Sequence, residues 1–378
     1  MKILEINYIN FRNLADKNIR FSPKINLFLG KNGQGKTSII EAVYFGATGK
    51  SFRTSKNSDM IKYGKLKTGC FLEYEDRISD KNLSVKIDSS KKEYRLNKKR
   101  VAYDEYYGKI NVVSFIPEDI ELIVGSPGVR RKFFDGEIAQ SSQEYFQNLK
   151  QYTKLLKIRN KYLKNREHKD PMFSIYEDEF VKYGARVIKK RLEYVKNISI
   201  ILNLNYRKLF DNKKELNLVY DSSIGEMGDI KKMSLEDLER RLREEIEKEF
   251  AKEIKYGYSM AGPQKDDFLF LLDGREAKSF SSQGEKKSII FSLKLSEIDM
   301  VLKEKRENPI FLIDDVSSYF DSIRKESIIN YLNKRDIQVI ITSTDSLGIQ
   351  SKNFFVEKGE IIEESEPAGK GENDERDS

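Results

Sequence analysis

A glycine-rich segment near the N-terminus has residue types and spacing suited to holding a phosphate. Residues 30–37 read GKNGQGKT and match the pattern G-x4-G-K-S/T at every fixed position. The glycines let backbone N–H groups wrap an anion, Lys36 can reach terminal phosphates, and the Thr37 hydroxyl can bind Mg²⁺. A chance glycine-rich turn is the alternative. We expect ATP to be bound here by Gly30, Lys31, Asn32, Gly33, Gln34, Gly35, Lys36, Thr37 and Ser38.

A second candidate site is a pair of carboxylates that closes an apolar run. Residues 310–315 read IFLIDD, which predicts a buried parallel strand ending in Asp314 and Asp315. Ligands gather at the carboxyl ends of such strands. Asp314 would hold Mg²⁺ directly or through water. Asp315 would orient and deprotonate the attacking water, because a carboxylate on the metal has lost much of its basicity. An ordinary strand-to-turn pair of aspartates is the alternative.

A third motif lies just before a long helix. Residues 281–285 read SSQGE and precede the acidic strand by roughly 25 residues, which resembles the signature motif of ABC-type ATPases. In that class the signature of one subunit clamps the γ-phosphate of ATP held by the other subunit. The resemblance implies that Ser282 and Gly284 bind ATP in trans, with Ser282 catalytic alongside Lys36 and Asp315. Simple helix capping is the alternative for Ser282 and Gly284.

The periodicity of apolar residues along the chain predicts the strands and helices that must position these motifs. Alternating or short apolar runs predict strands. They lie at residues 3–8, 25–29, 69–74, 83–87, 94–96, 110–115, 268–272, 310–313 and 339–342. The apolar period is helical from about 127 to 250, and again at 284–305 and 322–333. We therefore expect one α/β domain made from both chain ends, with a helical lobe inserted.

Composition narrows the class of protein. The 378 residues are 34% charged and 11% aromatic, as in globular chains, and the longest strictly apolar run, 268–272, is too short to cross a bilayer. A single cysteine and a single histidine exclude an internal disulfide and His-rich metal sites. The net charge is +8; the last 16 residues carry −5, so the preceding 362 carry +13. Such a basic body is typical of a polyanion binder, or of a Lys-rich genome. We expect a cytoplasmic protein with no membrane partner.

Nearly the whole chain resembles the RecF family, the bacterial recombination-mediator ATPases of the SMC-like branch of the ABC class. The resembling stretches are INFRNL (9–14), the phosphate loop, ATGKSFRT (47–54), FIPED (115–119), GSPGVRRKFFD (125–135), AGP (261–263), SQGE (282–285), the acidic strand end and TSTD (342–345). The SFRT and GSPGVRRKFFD stretches are the most specific to this family. The resemblance adds Arg12 to the ATP-binding residues and identifies SYFD (318–321) as a D-loop.

The resemblance also implies the architecture. We expect an α/β fold of the ABC/SMC-type ATPase head, with a mostly parallel phosphate-loop sheet, an antiparallel β subdomain and an inserted helical lobe. The expected divisions are an N-terminal part of the ATPase domain with the phosphate loop (1–125), the helical lobe (126–255), a C-terminal part of the ATPase domain with the signature and acidic strand (256–362) and a disordered acidic tail (363–378).

The resemblance to this family also predicts a function. The resemblance implies a slow ATPase that uses ATP and Mg²⁺, forms a homodimer when ATP is bound, and binds single-stranded, gapped or junction DNA. It implies partnership with RecO and RecR, which helps RecA displace single-strand-binding protein. Asp315 stands where transporter ATPases have Glu. The missing methylene should weaken water positioning, which suits a slow switch.

Some features separate the chain from related classes, and some depart from the family pattern. About 245 residues lie between Thr37 and Ser282, too few for the long coiled coil of an SMC protein, and Thr344 stands where a transporter ATPase has a histidine. Another SMC-like DNA-associated ATPase is the alternative function. After AGP the family often has His-Arg, whereas this chain has Gln264 and Lys265. No clear Q-loop glutamine is present, and the 115–119 segment would take its place.

A row of lysines is the candidate DNA contact. The lysine ridge, spaced 3, 4 and 3 residues apart, falls within about 80° of a helix and consists of Lys154, Lys157, Lys161 and Lys164. Such a ridge would follow phosphates without reading bases. A solvated helix face is the alternative, and the basic residues at 91–92 and 98–100 are a rival DNA contact.

Overall fold

The computed structural model describes residues 1–88, 91–315 and 322–365, with the backbone alone for 322–327. The chain divides into two compact units, Met1–Pro117 with Val301–Ser378, and Glu118–Met300. The predicted D-loop at 318–321 lies outside the described residues, as does the predicted acidic tail from residue 366 onward.

The described chain contains runs of consecutive strands near its N-terminus and a run of consecutive helices in its middle. The strands are β1 (Lys2–Ile9), β2 (Lys17–Arg20), β3 (Ile25–Leu29), β4 (Lys67–Glu75), β5 (Asp80–Asp88), β6 (Lys91–Leu96), β7 (Lys99–Val101), β8 (Val112–Phe115), β9 (Leu216–Asp221), β10 (Asp267–Leu272), β11 (Arg275–Glu276), β12 (Ile310–Ile313), β13 (Val339–Ser343), β14 (Lys352–Glu357) and β15 (Glu360–Ser365). The helices are α1 (Lys36–Thr48), α2 (Tyr103–Tyr106), α3 (Glu121–Val124), α4 (Pro127–Ser141), α5 (Gln143–Asn165), α6 (Pro171–Leu209), α7 (Met227–Ile230), α8 (Leu235–Tyr256), α9 (Ala277–Phe280), α10 (Gln283–Lys305) and α11 (Ser322–Asn333). None of the helices in these described ranges has a stretch long and apolar enough to span a bilayer.

The first unit contains the sheet that carries the phosphate loop. Its strand order is β15–β14–β3–β13–β12–β8, and neighbouring strands are parallel except at the β14–β15 edge. Strands β3, β12 and β13 are buried along their whole length, as apolar strands covered on both faces should be. The mostly parallel sheet expected from the sequence is confirmed. Strand β15 continues to Ser365, three residues into the segment predicted to be a disordered tail.

The second sheet of this unit is antiparallel, in the order β2–β1–β4–β5–β6–β7. Helix α1 packs against strands of both sheets. Its residues Ile39, Val43 and Phe45 are fully buried in the same core as Leu72 and Val85 of the antiparallel sheet. Because both sheets hold α1, they also set the position of the phosphate loop that leads into it.

The second unit is mainly helical and contains α4, α5, α6, α8 and a small antiparallel sheet in the order β11–β10–β9. Strand β9 interrupts the region whose period predicts only helix. This unit also contains the signature segment, which the expected divisions place in the C-terminal part of the ATPase domain. Within this unit, a hydrogen bond of 3.1 Å from Asn205 on α6 to Ser296 on α10 connects the helix that follows the signature with α6.

A buried arginine joins distant segments of the second unit. Arg191 is 2% exposed and donates to both carboxylate oxygens of Asp135 at 2.9 Å, and to the carbonyl of Pro263 at 2.7 Å. Arg130 donates to both oxygens of Asp267 at 2.7 Å. These ion pairs connect the GSPGVRRKFFD stretch with the segment around AGP. Both stretches therefore build the interior of this unit.

Replacing Arg191 with methionine should lower the free energy of unfolding by about 3–5 kcal/mol, because the half-buried Asp135 and the fully buried Asp266 would both lose the cation beside them. Urea unfolding followed by circular dichroism measures the change. The control is Lys190→Met on the same helix, which breaks only a surface pair and should cost less than about 0.5 kcal/mol. Equal stability of the Arg191 variant and the control would contradict a structural role for the buried pair.

Candidate nucleotide-binding site

The phosphate loop connects the end of β3 to the start of α1. Gly35 caps the helix with φ of 107°, a backbone conformation that glycine adopts without strain. At Gly30 an added Cβ would lie 2.4 Å from the carbonyl oxygen of Val356 on β14. Both glycines that the motif requires are therefore also required by the local backbone.

The turn between β14 and β15 holds the middle of the loop. The backbone N–H of Gly359 donates to the carbonyl of Gln34 at 2.8 Å, and the N–H of Lys358 donates to the Gln34 side-chain oxygen at 2.7 Å. The predicted residue Gln34 thus anchors the phosphate loop to the β14–β15 turn. Its partners lie more than 300 positions away in the sequence.

The ammonium of Lys36 lies inside the loop. It donates to the carbonyls of Gly30 at 2.6 Å and of Lys31 at 2.9 Å. Burial lowers the pKa of Lys36, and the negative charges of Asp315 and Asp314 oppose this shift. The site therefore offers a cation for phosphate next to carboxylates for a metal ion.

Three element ends meet at the carboxylate of Asp314. The Thr37 hydroxyl, at the start of α1, lies 3.1 and 2.9 Å from its two oxygens. Thr342, near the end of β13, donates to Asp314 Oδ1 at 2.7 Å and accepts the backbone N–H of Asp315 at 2.8 Å. The acidic strand end and the phosphate loop are thus adjacent.

The oxygens at this point suit a magnesium ion that arrives with a nucleotide. Mg²⁺ is held by one or two carboxylates, with substrate phosphates and waters as its other ligands. The Asp314 carboxylate and Thr37 hydroxyl form such an oxygen pair. Over the described ranges of the chain, no group of three or more His, Cys, Asp or Glu side chains forms a self-sufficient metal site. The residues present therefore fit Mg²⁺ bound together with phosphates.

A cleft of about 740 Å³ opens over the loop. It brings together most of the residues that the sequence predicts for ATP and metal binding. Those that line it are Arg12, Asn32, Gly33, Gly35, Lys36, Thr37, Ser38, Asp314 and Asp315. The volume and the mixed charge of the walls suit a nucleoside triphosphate better than an apolar ligand.

A buried glutamate organises the arginines of this cleft. Glu41 is fully buried on α1, and Arg12 donates to its two oxygens at 2.9 and 2.5 Å. Arg53 and Ser51 also donate to Glu41, at 3.3 and 2.5 Å. Neither Glu41 nor Arg53 is among the residues predicted from sequence. The available signals were the SFRT stretch and the place of Glu41 one helical turn after Thr37.

The signature segment, in the second unit, forms a capping box at the start of α10. The Ser282 hydroxyl accepts the N–H of Glu285 at 3.2 Å, while the Glu285 carboxylate accepts the N–H of Ser282 at 2.7 Å. Lys214 forms an ion pair with Glu285, and its hydrogen bond lowers the pKa of Glu285 to about 2. A hydroxyl that accepts in this way keeps its own proton for donation. Capping and phosphate contact are therefore compatible at Ser282, and Gly284 lies in the same first turn.

The four lysines of the lysine ridge are all exposed along α5. Within the part of the chain that the structure describes, none of the four pairs with an acidic side chain. Arg159, on the same helix, is instead fully buried and pairs with Glu177 and Glu253.

The rival candidate for DNA contact is also basic, since Lys91, Lys92 and Arg100 line a cleft of about 860 Å³ on the antiparallel sheet.

The fold and this site define an ATPase head of the SMC-like branch of the ABC class. The head domain of an Smc protein from Pyrococcus furiosus has the same fold, with a TM-score of 0.55 at 15% identity and 94% of each chain covered.

Sequence comparison narrows the class to one family. Residues 2–357 match the RecF/RecN/SMC N terminal domain family. The DNA replication and repair protein RecF of Alkaliphilus oremlandii is 33% identical over 370 residues, which cover 96% of this chain and 100% of that protein. A solved structure of the recombination mediator protein RecF with ATP has a TM-score of 0.89 at 29% identity, covering 96% of this chain and 99% of the other. The chain belongs to the RecF family.

Replacing Glu41 with glutamine should weaken ATP binding about tenfold, because charge-assisted hydrogen bonds to Arg12 and Arg53 are worth about 1.5–3 kcal/mol each. Titration with a fluorescent ATP analogue measures the affinity. Glu73→Gln, at an exposed position on β4, is the matched control and should bind as wild type does. An unchanged affinity in a folded Glu41 variant would mean that the glutamate does not position the arginines for nucleotide.

Proposed function

We propose that this protein binds ATP and Mg²⁺ in the cleft, pairs with a second copy while ATP is bound, holds DNA as a pair and separates after slow hydrolysis. The observation that carries the proposal is the convergence of Lys36, Thr37, Asp314 and Asp315 on one cleft. Two comparisons support it. The solved RecF structure is a complex with ATP, and the curated relative is described as a DNA replication and repair protein.

Each polar group of the cleft has a part in the proposed reaction. Lys36 and the loop N–H groups would hold the phosphates, while Thr37 and Asp314 would hold Mg²⁺. The metal ion, when bound, neutralises charge on the phosphates. Asp315 would orient and deprotonate the attacking water. The backbone of Asp315 has a φ of 54°, and its N–H donates a hydrogen bond to the Thr342 hydroxyl. This hydrogen bond fixes the backbone from which the Asp315 carboxylate extends.

Hydrolysis should be slow, because aspartate reaches one methylene less far than glutamate toward the water. A slow step suits a switch whose two states must each persist. ATP binding would then bring two copies together, and the rate of hydrolysis would determine how long they stay together.

The signature segment would join the two copies. Ser282 and the Gly284 backbone of one copy would contact the γ-phosphate held by the other. The ion pair between Lys214 and Glu285 keeps the turn in shape before a partner arrives. A nucleotide that contacts both copies stabilises the pair by its differential affinity for the paired state.

DNA would be the ligand of the paired form. The lysine ridge provides exposed positive charge for phosphates, and no acidic side chain among the described residues pairs with it. The solved RecF structure is described as part of the RecFOR pathway, which supports RecO and RecR as partners here. The expected role is then binding of single-stranded, gapped or junction DNA so that RecA can be loaded.

Replacing Ser282 with arginine should leave ATP binding intact but block ATP-dependent pairing and turnover, because the bulky side chain would collide with the partner's nucleotide. Light scattering with and without ATP measures pairing, and phosphate release measures turnover. Lys36→Met, which should lose ATP binding itself, is the comparison. Normal pairing and turnover in the Ser282 variant would show that the signature assignment is wrong.

Replacing Asp315 with asparagine should slow hydrolysis at least tenfold and lengthen the lifetime of the DNA complex, because the amide cannot take the proton of water. Single-turnover phosphate release gives the hydrolysis rate, and dissociation of labelled DNA gives the lifetime. Equal lifetimes for variant and wild type would argue against Asp315 as the base.

A further inference from the structure

Two tyrosines are exposed where α8 ends, next to the lysine ridge. The tyrosine turn comprises Tyr256, Gly257 and Tyr258, and its two side chains are 56% and 42% exposed. The ring centroids are 6.3 Å apart and the rings are inclined by 37°. Large aromatic side chains are costly to leave in water, so an exposed pair is a candidate contact surface.

The protein builds this turn onto α5. Gly257 has φ of 76°, and an added Cβ would lie 3.2 Å from the Cα of Lys164, the last lysine of the ridge. Ser259 donates its N–H and its hydroxyl to the side-chain oxygen of Asn160 on α5, both at 2.8 Å. The close approach and these hydrogen bonds fix the tyrosine turn beside the C-terminal half of the ridge.

A lysine lies close to each of the two rings. The Lys255 ammonium lies 5.5 Å from the centre of the Tyr256 ring, and the Lys265 ammonium lies 4.8 Å from that of Tyr258. The ridge itself extends for about 15 Å along α5. An exposed acid at this edge is Glu167, to which Asn165 donates at 3.4 Å. Each ring therefore has an ammonium group close to it.

We propose that the lysine ridge and the tyrosine turn together form a binding surface for single-stranded DNA. The lysines would contact phosphates while the tyrosine rings stack on bases. Bases of a duplex are already stacked on each other, whereas those of a single strand can turn onto an aromatic ring, so this combination favours single strands. The inference rests on the proposed function and names the strand type and the residues that select it.

Changing both Tyr256 and Tyr258 to alanine in the full-length protein tests the stacking contribution. With ATP present, fluorescence anisotropy compares a labelled oligothymidylate with a duplex of equal length. Affinity for the single strand should fall about 30-fold or more because two stacking contacts are lost, and affinity for the duplex should change less than about twofold. The double phenylalanine variant keeps the rings and should bind both as wild type does.

Changing Lys161 and Lys164 to glutamine tests the phosphate contribution. Single-strand affinity should fall, and the slope of log affinity against log salt should decrease by about 1.4, because each phosphate contact accounts for about 0.7. The matched control changes Lys231 and Lys232, two exposed lysines of the same unit, to glutamine. It should leave both affinity and slope unchanged.

The outcomes separate this inference from the proposed function. If wild type binds DNA and the alanine variant binds the single strand equally well, the tyrosine turn is not a DNA surface, although the proposed function stands. Equal losses for single strand and duplex would reject stacking. If the alanine variant loses ATP-dependent pairing in light scattering while the phenylalanine variant keeps it, the turn is a protein contact instead. If wild type binds neither DNA, both the inference and the proposed function fail.

Discussion

The nucleotide site depends on the need of one carboxylate for hydrogen-bond donors. Asp314 is 4% exposed, and a buried carboxylate without donors is costly. Thr37 and Thr342 supply hydroxyl donors from two other elements, and the N–H of Asp314 pairs with Phe115 on β8. The carboxylate therefore connects the acidic strand with the start of α1 and with β13, while the backbone N–H of the same residue connects it with β8. A divalent ion would use the same oxygens, so the folded site already has the arrangement that a metal–nucleotide complex requires.

Buried arginine–carboxylate pairs repeat the same physical logic elsewhere. Glu41 holds Arg12 in the first unit, and in the second unit Asp135 holds Arg191 while Glu253 holds Arg159. Such pairs add little stability over apolar packing, but removing one partner leaves a buried charge unpaired. Each pair therefore fixes two elements in one position relative to each other. Stretches typical of the family, such as GSPGVRRKFFD, are used in this way to join segments that are distant in sequence.

Helix α5 shows how one element serves both folding and binding. Its inner face buries Tyr152, Leu155 and Leu163, while the lysine ridge follows the outer face. Because the inner face of α5 is packed in the interior of the unit, the position of the helix that carries the lysines is fixed. The proposed DNA surface is therefore held in shape by the same helix that fills the interior of the second unit, and the tyrosine turn adds aromatic surface at one end.

Local spacing in the sequence determined the phosphate loop, the strand that ends in Asp314 and Asp315, the periodic helices and the lysine ridge, since each of these depends on neighbours within a few residues. Only the tertiary structure decided that Thr342 would bind Asp314 and that Glu41 would hold Arg12 and Arg53. It also decided that the β14–β15 turn would contact Gln34. In the same way, it decided that β9 would form and pair with β10 inside a region of helical period. The reason is that a period of 2 or 3.6 residues records which face of an element is buried, but not which distant side chain it will meet there. That choice is made when elements pack and each buried polar group must find a partner.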